Sequence, residues 1–277
     1  MTKDGAPIGV FDSGYGGLTV LKELQKKLPK YDFIYIGDNA RTPYGTRSFE
    51  TVYQYTLQAV KTFFDLGCEL VIIACNTASA KALRSIQQND LPSIAPNKRV
   101  LGVIRPSTEA IGEITKTKHV GVFATPGTVQ SESYVIEIKK FHPEIEVKQE
   151  ACPLWVPLIE NDQFDNEGGR YFIKYHIDHL LSQDEEIDTV ILGCTHYPIL
   201  KPLIEEFIPT NVNVLSQGSI VANSLENYLE RHPEIEKMCS KNGKSQYFTT
   251  EDPRDFSSKA TLFLGYEIQA NKIILSN

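Results

Sequence analysis

The sequence predicts an α/β protein of two pseudo-symmetric lobes, each built on a mainly parallel sheet, with a site in the cleft between them. Three observations predict it. Val71-Ile72-Ile73-Ala74-Cys75-Asn76-Thr77 returns as Val190-Ile191-Leu192-Gly193-Cys194-Thr195-His196. Each copy is an apolar run, a small residue, a cysteine and then polar side chains, which reads as a buried parallel strand with function at its carboxyl end. Ile8-Gly9-Val10-Phe11 likewise returns as Val120-Gly121-Val122-Phe123, offset by 112 residues against 119 for the cysteine strands. Near-equal offsets point to an internal duplication. Apolar stripes of helical spacing also fall between the strands, as α/β architecture requires. Ligands of open α/β sheets sit outside the carboxyl ends of the strands. Each half therefore delivers one thiol to a strand tip, and two similar lobes share a cleft.

Bulk properties narrow the class. A chain of 277 residues suits one large or two medium domains. Its 41% hydrophobic and 23% charged residues are ordinary for a soluble globular protein. A net charge of −7 argues against nucleic acid as a partner, since broad phosphate neutralisation needs the opposite sign. No apolar run approaches the ~20 residues of a membrane helix, so no membrane partner is expected. The N-terminus runs straight into a strand and is read as leaving no room for a signal peptide. The cysteines are Cys68, Cys75, Cys152, Cys194 and Cys239. Their odd number and wide spacing fit reduced thiols of the cytoplasm better than a disulfide framework.

Residues 7–11 form the first strand. Asp12-Ser13-Gly14-Tyr15-Gly16-Gly17 is a glycine-rich turn, and Leu18, Val20, Leu21, Leu24 and Leu28 stripe a helix ending near Pro29. This order suits an anion site at a helix N-terminus. It is no P-loop, because no Lys-Ser/Thr pair follows, and Thr19 stands where a dinucleotide fingerprint has its third glycine. The glycines read equally well as a tight turn; Asp12 and Ser13 at the strand tip are the stronger functional candidates. Residues 33–36 form the second strand. The loop 37–45, with Asp38, Arg41, Pro43, Tyr44 and Gly45, reads on its own as structural rather than functional. Residues 49–64 have the spacing of an amphipathic helix stopped by Gly67.

The Cys75 strand leads into a helix beginning at residues 76–79. The positive end of the helix dipole there lowers a thiol's pKa. A lone cysteine would read as packing; the second copy at Cys194 turns the reading toward function. Residues 91–98, with two prolines, mark a lobe boundary. Residues 100–104 then read as the first strand of the second lobe, and Arg105-Pro106-Ser107 as a helix start. After the repeated strand, Ala124-Thr125-Pro126-Gly127-Thr128 replaces the Asp-Ser-Gly turn and brings no aspartate. Residues 151–160, apolar with two prolines, are neither a good helix nor a good central strand. They read as a cleft wall ending in Glu160, which serves equally as a helix cap or ion-pair partner. Cys152 reads as packing. Residues 171–181 and 200–207 are helices. The tail has a strand at 212–215, a helix over 220–229, a polar surface stretch at 231–244 holding an incidental Cys239, an edge strand at Tyr247-Phe248 and a last helix at 260–264.

Inverting a carbon acid removes a proton from one face and adds one to the other. Two fixed groups on opposite faces do this directly, and two thiols suffice if one is a thiolate while the other is protonated. If the chain stays extended after Cys194, its side chain and that of His196 point the same way, and imidazole handles protons near neutral pH. Asp12 and Glu160 make sense as proton partners or as clamps on a substrate ammonium. Cys-x-His also raises the question of metal. A zinc site needs at least three protein ligands, and no further Cys-x-x-Cys or His-x-His pattern exists. No metal is expected.

Four blocks taken together resemble the bacterial glutamate racemases. They are Phe11-Asp12-Ser13-Gly14 with Gly16 to Val20, Asp38-Asn39 with Pro43-Tyr44-Gly45, Ala74-Cys75-Asn76-Thr77-Ala78-Ser79, and Leu192-Gly193-Cys194-Thr195-His196-Tyr197-Pro198. The resemblance runs over about residues 7–230, and residues 153–160 resemble the family's wall segment. Tyr15 departs from the smaller or plain hydrophobic residue usual there, and Ser216-Gln217-Gly218 from an aspartate-containing turn. The resemblance implies a cofactor-independent racemase that interconverts L- and D-glutamate and supplies D-glutamate for peptidoglycan synthesis. It implies Cys75 and Cys194 as the acid/base pair, Cys75 acting on the D- and Cys194 on the L-enantiomer. Asp12, Glu160 and His196 become supporting catalytic groups, with Asp12 and His196 also touching substrate. Ser13, Tyr44, Gly45, Asn76, Thr77 and Thr195 become substrate contacts. A homodimer is implied, as is a tail packed on the first lobe, giving residues 1–97 plus 211–277 as the first lobe and 98–210 as the second.

Three other readings stand beside this one. An aspartate racemase would need the same two thiols, and only the substrate contacts distinguish it. A non-catalytic two-lobed amino-acid binder would need neither thiol. A hydrolase using one cysteine with His196 would leave the other cysteine unexplained.

Overall fold

A computed structural model describes residues 5–275. The expected class holds: two parallel sheets, each flanked by helices. The strands are β1 (Ile8–Asp12), β2 (Phe33–Gly37), β3 (Leu70–Ile73), β4 (Arg99–Gly102), β5 (His119–Ala124), β6 (Glu146–Ala151), β7 (Thr189–Gly193), β8 (Asn213–Leu215), β9 (Ser245–Thr249) and β10 (Ala270–Lys272). The first sheet runs β10-β9-β2-β1-β3-β4 and the second β6-β5-β7-β8. β1, β3 and β7 are buried along their whole length, as strands covered by helices on both faces must be.

The two sheets share one plan. The order β2-β1-β3-β4 is matched by β6-β5-β7-β8. The register agrees as well: Gly9 pairs with Val71 in the first sheet and Gly121 with Val190 in the second. Cys75 and Cys194 each lie four residues beyond those partners, so they occupy corresponding places. β9 and β10 are additions to the first sheet alone.

Local chemistry explains the helices beside the site. Helix Leu18–Lys27 buries Leu18, Val20, Leu21 and Leu24. Helix Phe49–Asp65 is capped by Ser48, whose side chain accepts from the Thr51 N–H. It stops short of Gly67, which sits at φ +90°. Helix Asn76–Lys81 begins directly after Cys75.

Sheet membership corrects the expected division of the chain. β4 is the fourth strand of the first sheet, not the first strand of the second. β8 pairs with β7 in the second sheet, although residues 211–277 were expected in the first lobe. The proline-containing stretch 91–98 is not a boundary; it closes a broken crossover of helices and a π-helical turn over Ile86–Asp90. The chain instead passes between the sheets after β4 and after β8. Residues 155–160 form a helix, Trp155–Glu160, despite Pro157. That proline lies in the first turn, where its missing N–H has no helical acceptor. β9 is an inner strand between β2 and β10 rather than an edge. The polar stretch 231–244 buries Ile235 and Cys239.

Candidate active site

Both sheets aim their carboxyl ends at one cavity of about 70 Å³. Ser13, Tyr44, Gly45, Asn76, Thr77, Thr195 and His196 line it with both Cys75 and Cys194. Asp12 and Glu160 stand behind this lining. Sequence reasoning had named each of these residues. A cavity ten times larger, about 750 Å³, lies elsewhere among Lys81, Arg105, Glu137 and Tyr228 and holds neither thiol.

Cys75 caps the helix Asn76–Lys81: its sulfur accepts from the Ala78 N–H at 3.5 Å, and its S–H donates to Ser13 Oγ at 3.4 Å. The helix start was expected to lower this thiol's pKa. Burial and the neighbouring Asp12 instead push it up to about 12, against the Ala78 N–H and the Ser13 hydroxyl, which can turn to donate to a thiolate. At neutral pH Cys75 is therefore the protonated partner.

Cys194 has different company. Its sulfur lies 3.9 Å from His196 Nδ1, and His196 Nε2 donates to Glu160 Oε1 at 2.9 Å. The pair does not meet through an extended chain. β7 ends at Gly193, and His196 is already in the helical region at φ −78°, ψ −32°. A turn, not the pleat, brings ring and sulfur together. Burial pushes the imidazole's pKa down, but its bonds to Cys194 and Glu160 outweigh this and raise it to about 10. A cation thus faces Cys194.

Asp12 is completely buried and joins the two halves. Its Oδ1 accepts from Thr195 Oγ1 at 3.2 Å and its Oδ2 from the Gly14 N–H at 3.0 Å. Burial raises its carboxyl above the usual range, against the pull of His196 and the N–H groups of Gly17 and Gly14. The glycine-rich turn is a packing device. A Cβ on Gly16 would stand 2.3 Å from His196 Nδ1 and 2.4 Å from Thr195 Oγ1. Thr19 adds a second tie, its hydroxyl donating to the Thr195 carbonyl at 2.9 Å.

The loop 37–48 closes another side. Tyr44 OH and Arg41 Nε both donate to Asp38, whose other oxygen accepts from Thr250. The Gly45 carbonyl accepts from the Gly127 N–H at 2.8 Å, binding the loop to the second half. Thr77 meets Thr125 hydroxyl to hydroxyl at 2.9 Å. Thr125, which lines the cavity with Thr128 bonded to it from behind, was missed as a site residue. The only signal was a polar turn at the tip of the repeated strand, where an aspartate had been sought.

Among the described residues, one cluster brings three ligand atoms close enough together to raise the question of a metal, and it lies away from the thiols: His119, Asp184 and Glu186. Asp184 takes Nδ1 at 2.7 Å and Glu186 takes Nε2 at 3.1 Å. Carboxylates on opposite edges of one ring make an ion-pair clamp, not a shared coordination sphere.

Residues 8–225 match the family described as Asp/Glu/hydantoin racemase. A glutamate racemase of Ruegeria sp. (strain TM1040) is 43% identical over 271 residues, covering 94% of this chain and 97% of its own. A crystal structure of a glutamate racemase isoform from Bacillus anthracis superposes with TM-score 0.89 at 34% identity, covering 98% of both chains. One from Francisella tularensis, in complex with D-glutamate, does so with TM-score 0.85 at 36% identity, covering 99% of this chain and 98% of the other.

Proposed function

The chain belongs to the Asp/Glu/hydantoin racemase family, and on that premise we propose that it is a glutamate racemase working through two cysteines without a cofactor. One observation carries the mechanism: two thiols, at corresponding places in two like sheets, line the same cavity. Relatives named as glutamate racemases carry the choice of substrate.

With L-glutamate bound, the Cys194 thiolate takes the α-proton. The electron pair left on the α-carbon delocalises into the α-carboxylate. The Cys75 S–H returns a proton to the opposite face, giving D-glutamate, Cys194 as thiol and Cys75 as thiolate. The reverse reaction runs the same steps backwards. The resting site suits the L-to-D direction, because burial keeps Cys75 protonated and the His196 cation faces Cys194. Glu160 orients the imidazole. Asp12, with Thr195, fixes the two strand tips against each other and is available to the substrate ammonium. Ser13, Tyr44, Gly45, Asn76, Thr77 and Thr195 serve as substrate contacts. Supply of D-glutamate to peptidoglycan, a homodimer and a cytoplasmic location belong to the same proposal. Family resemblance supports the first two, and five free thiols suit reducing surroundings.

Circular dichroism of the purified protein with L- and D-glutamate and L- and D-aspartate in parallel tests the reading. Glutamate should lose its optical activity from either side. Equal or faster turnover of aspartate would overturn the substrate; no turnover of either would overturn the function.

A further inference from the structure

We infer that Gln217 is a positioning residue that fixes the Cys75 side of the site to both connections between the sheets; this rests on the racemase reading above. Gln217 is 4% exposed and stands at the head of helix Gln217–Arg231, immediately after β8 and Ser216. Its carboxamide closes a ring of hydrogen bonds. Asn76 Nδ2 donates to Gln217 Oε1 at 2.8 Å. Gln217 Nε2 donates to Tyr134 OH at 2.7 Å, and Tyr134 OH donates to Asn76 Oδ1 at 2.7 Å. The same Nε2 reaches Ser107 Oγ at 2.9 Å and the Val103 carbonyl at 3.3 Å.

The places these partners occupy give the ring its meaning. Val103 is the residue at which the chain leaves the first sheet after β4; Gln217 follows its return after β8. Tyr134 belongs to helix Ser133–Phe141, which packs beside the second sheet's helix Ile104–Ile114. Asn76 is the first residue of the helix that Cys75 caps. One side chain thus grips both crossings, the second half of the molecule and the residue next to a thiol. In a buried ring each bond polarises the next, and a member left without a partner is costly, so the ring holds one geometry. Gln217 touches neither thiol; it acts through Asn76.

The effect should be one-sided. Loosening Asn76 displaces the thiol beside it while leaving Cys194, His196 and Glu160 in place. Proton transfer at Cys75 then becomes the slower half of the reaction. Gln217→Met keeps the length of the side chain and removes the carboxamide. Catalytic efficiency should fall by roughly 10- to 100-fold, the range expected from misplacing a reacting group by up to an ångström. The fall must be equal in the two directions, because the equilibrium constant is fixed.

The decisive readout is the primary isotope effect on kcat/KM, measured with α-deuterated D- and L-glutamate. In the variant it should rise for D-glutamate, which Cys75 deprotonates, and fall for L-glutamate. Tyr134→Phe, which withdraws the donor to the other end of the Asn76 amide, should shift both effects in the same sense and keeps the test open if Gln217→Met does not fold. A variant that is merely destabilised loses active molecules but keeps the wild-type pair of isotope effects. That result, or an unchanged kcat/KM, would overturn the inference. Wild-type protein inert toward glutamate would instead overturn the racemase reading beneath it.

Discussion

Replacing Gly16 by Ala puts one methyl group where the structure has no room. The added carbon would lie 2.3 Å from His196 Nδ1, 2.4 Å from Thr195 Oγ1 and 2.7 Å from His196 Cε1. None of these is a loose end. His196 is held at both ring nitrogens, by Cys194 and by Glu160, and Thr195 Oγ1 donates to Asp12. Relief must come from moving the imidazole or the turn by close to an ångström. Overpacking of this kind costs about 1–3 kcal/mol, and each kcal/mol lowers the melting temperature of a chain this large by roughly 2–4 °C. A reacting group misplaced by an ångström costs on the order of 10²-fold in rate. Thermal unfolding and the circular-dichroism assay read the two effects separately. Gly67→Ala is the control. Gly67 also disfavours a side chain, at φ +90°, but a Cβ there meets nothing within 4 Å. It should lose about 1 kcal/mol of stability and no activity. Gly16→Ala with wild-type turnover would refute the claim that this turn holds His196 in place.

Three further outcomes are expected. Cys75→Ala and Cys194→Ala should each lower racemisation about 10²–10⁴-fold in both directions, the worth of one acid/base group; a single active Ala variant in the polarimetric assay would end the two-thiol mechanism. The stability contributed by the His196 cation is fully present below the free-histidine value near 6.5 and is lost as pH rises through about 10. Urea midpoints should therefore fall across that window, and less steeply in Glu160→Gln; equal slopes would show that the pair is not coupled to folding. At the opposite end of β2, Asp32 accepts from both N–H groups of Asn242 and from the Lys244 N–H. Burial pushes its carboxyl up, but hydrogen bonds from Ser240, Lys244 and Asn242 outweigh this and leave it below the usual range. Asp32→Asn should cost about 1–3 kcal/mol at neutral pH, a deficit that disappears as pH falls through the native value. Turnover should be untouched, and an unchanged urea midpoint would count against the assignment.

What could be read in the sequence was whatever neighbours in the chain decide. β1, β3, β5 and β7 announce themselves as apolar runs because helices cover both faces, and the thiols follow from them. β6 was invisible: Glu-Val-Lys-Gln-Glu-Ala is an edge strand, half-exposed and rich in charge. β4 was seen as a strand but given to the wrong sheet, since pairing with β3 is a fact about partners and not about composition. Cys239 looked incidental in a polar stretch and is buried beside Ala6, which lies far off in sequence. Gln217 is the extreme case. Its partners Asn76, Ser107 and Tyr134 lie 141, 110 and 83 residues away, and no local pattern marks a glutamine that will meet them.

The matched sheets place like thiols in unlike surroundings, a hydroxyl and a helix start at Cys75, a cation at Cys194. On the two-thiol reading this gives the protein a record of its last event. Each conversion leaves the proton on the other sulfur, so a molecule that has just made D-glutamate is ready only to unmake it. Both cysteines are almost shut off from solvent, at 5% and 6% exposure. Erasing the record requires a proton to pass through the lining of the cavity. Where that passage is slower than the breaking of the carbon–hydrogen bond, progress curves at high concentrations of one enantiomer should slow in a way that ordinary product inhibition does not describe.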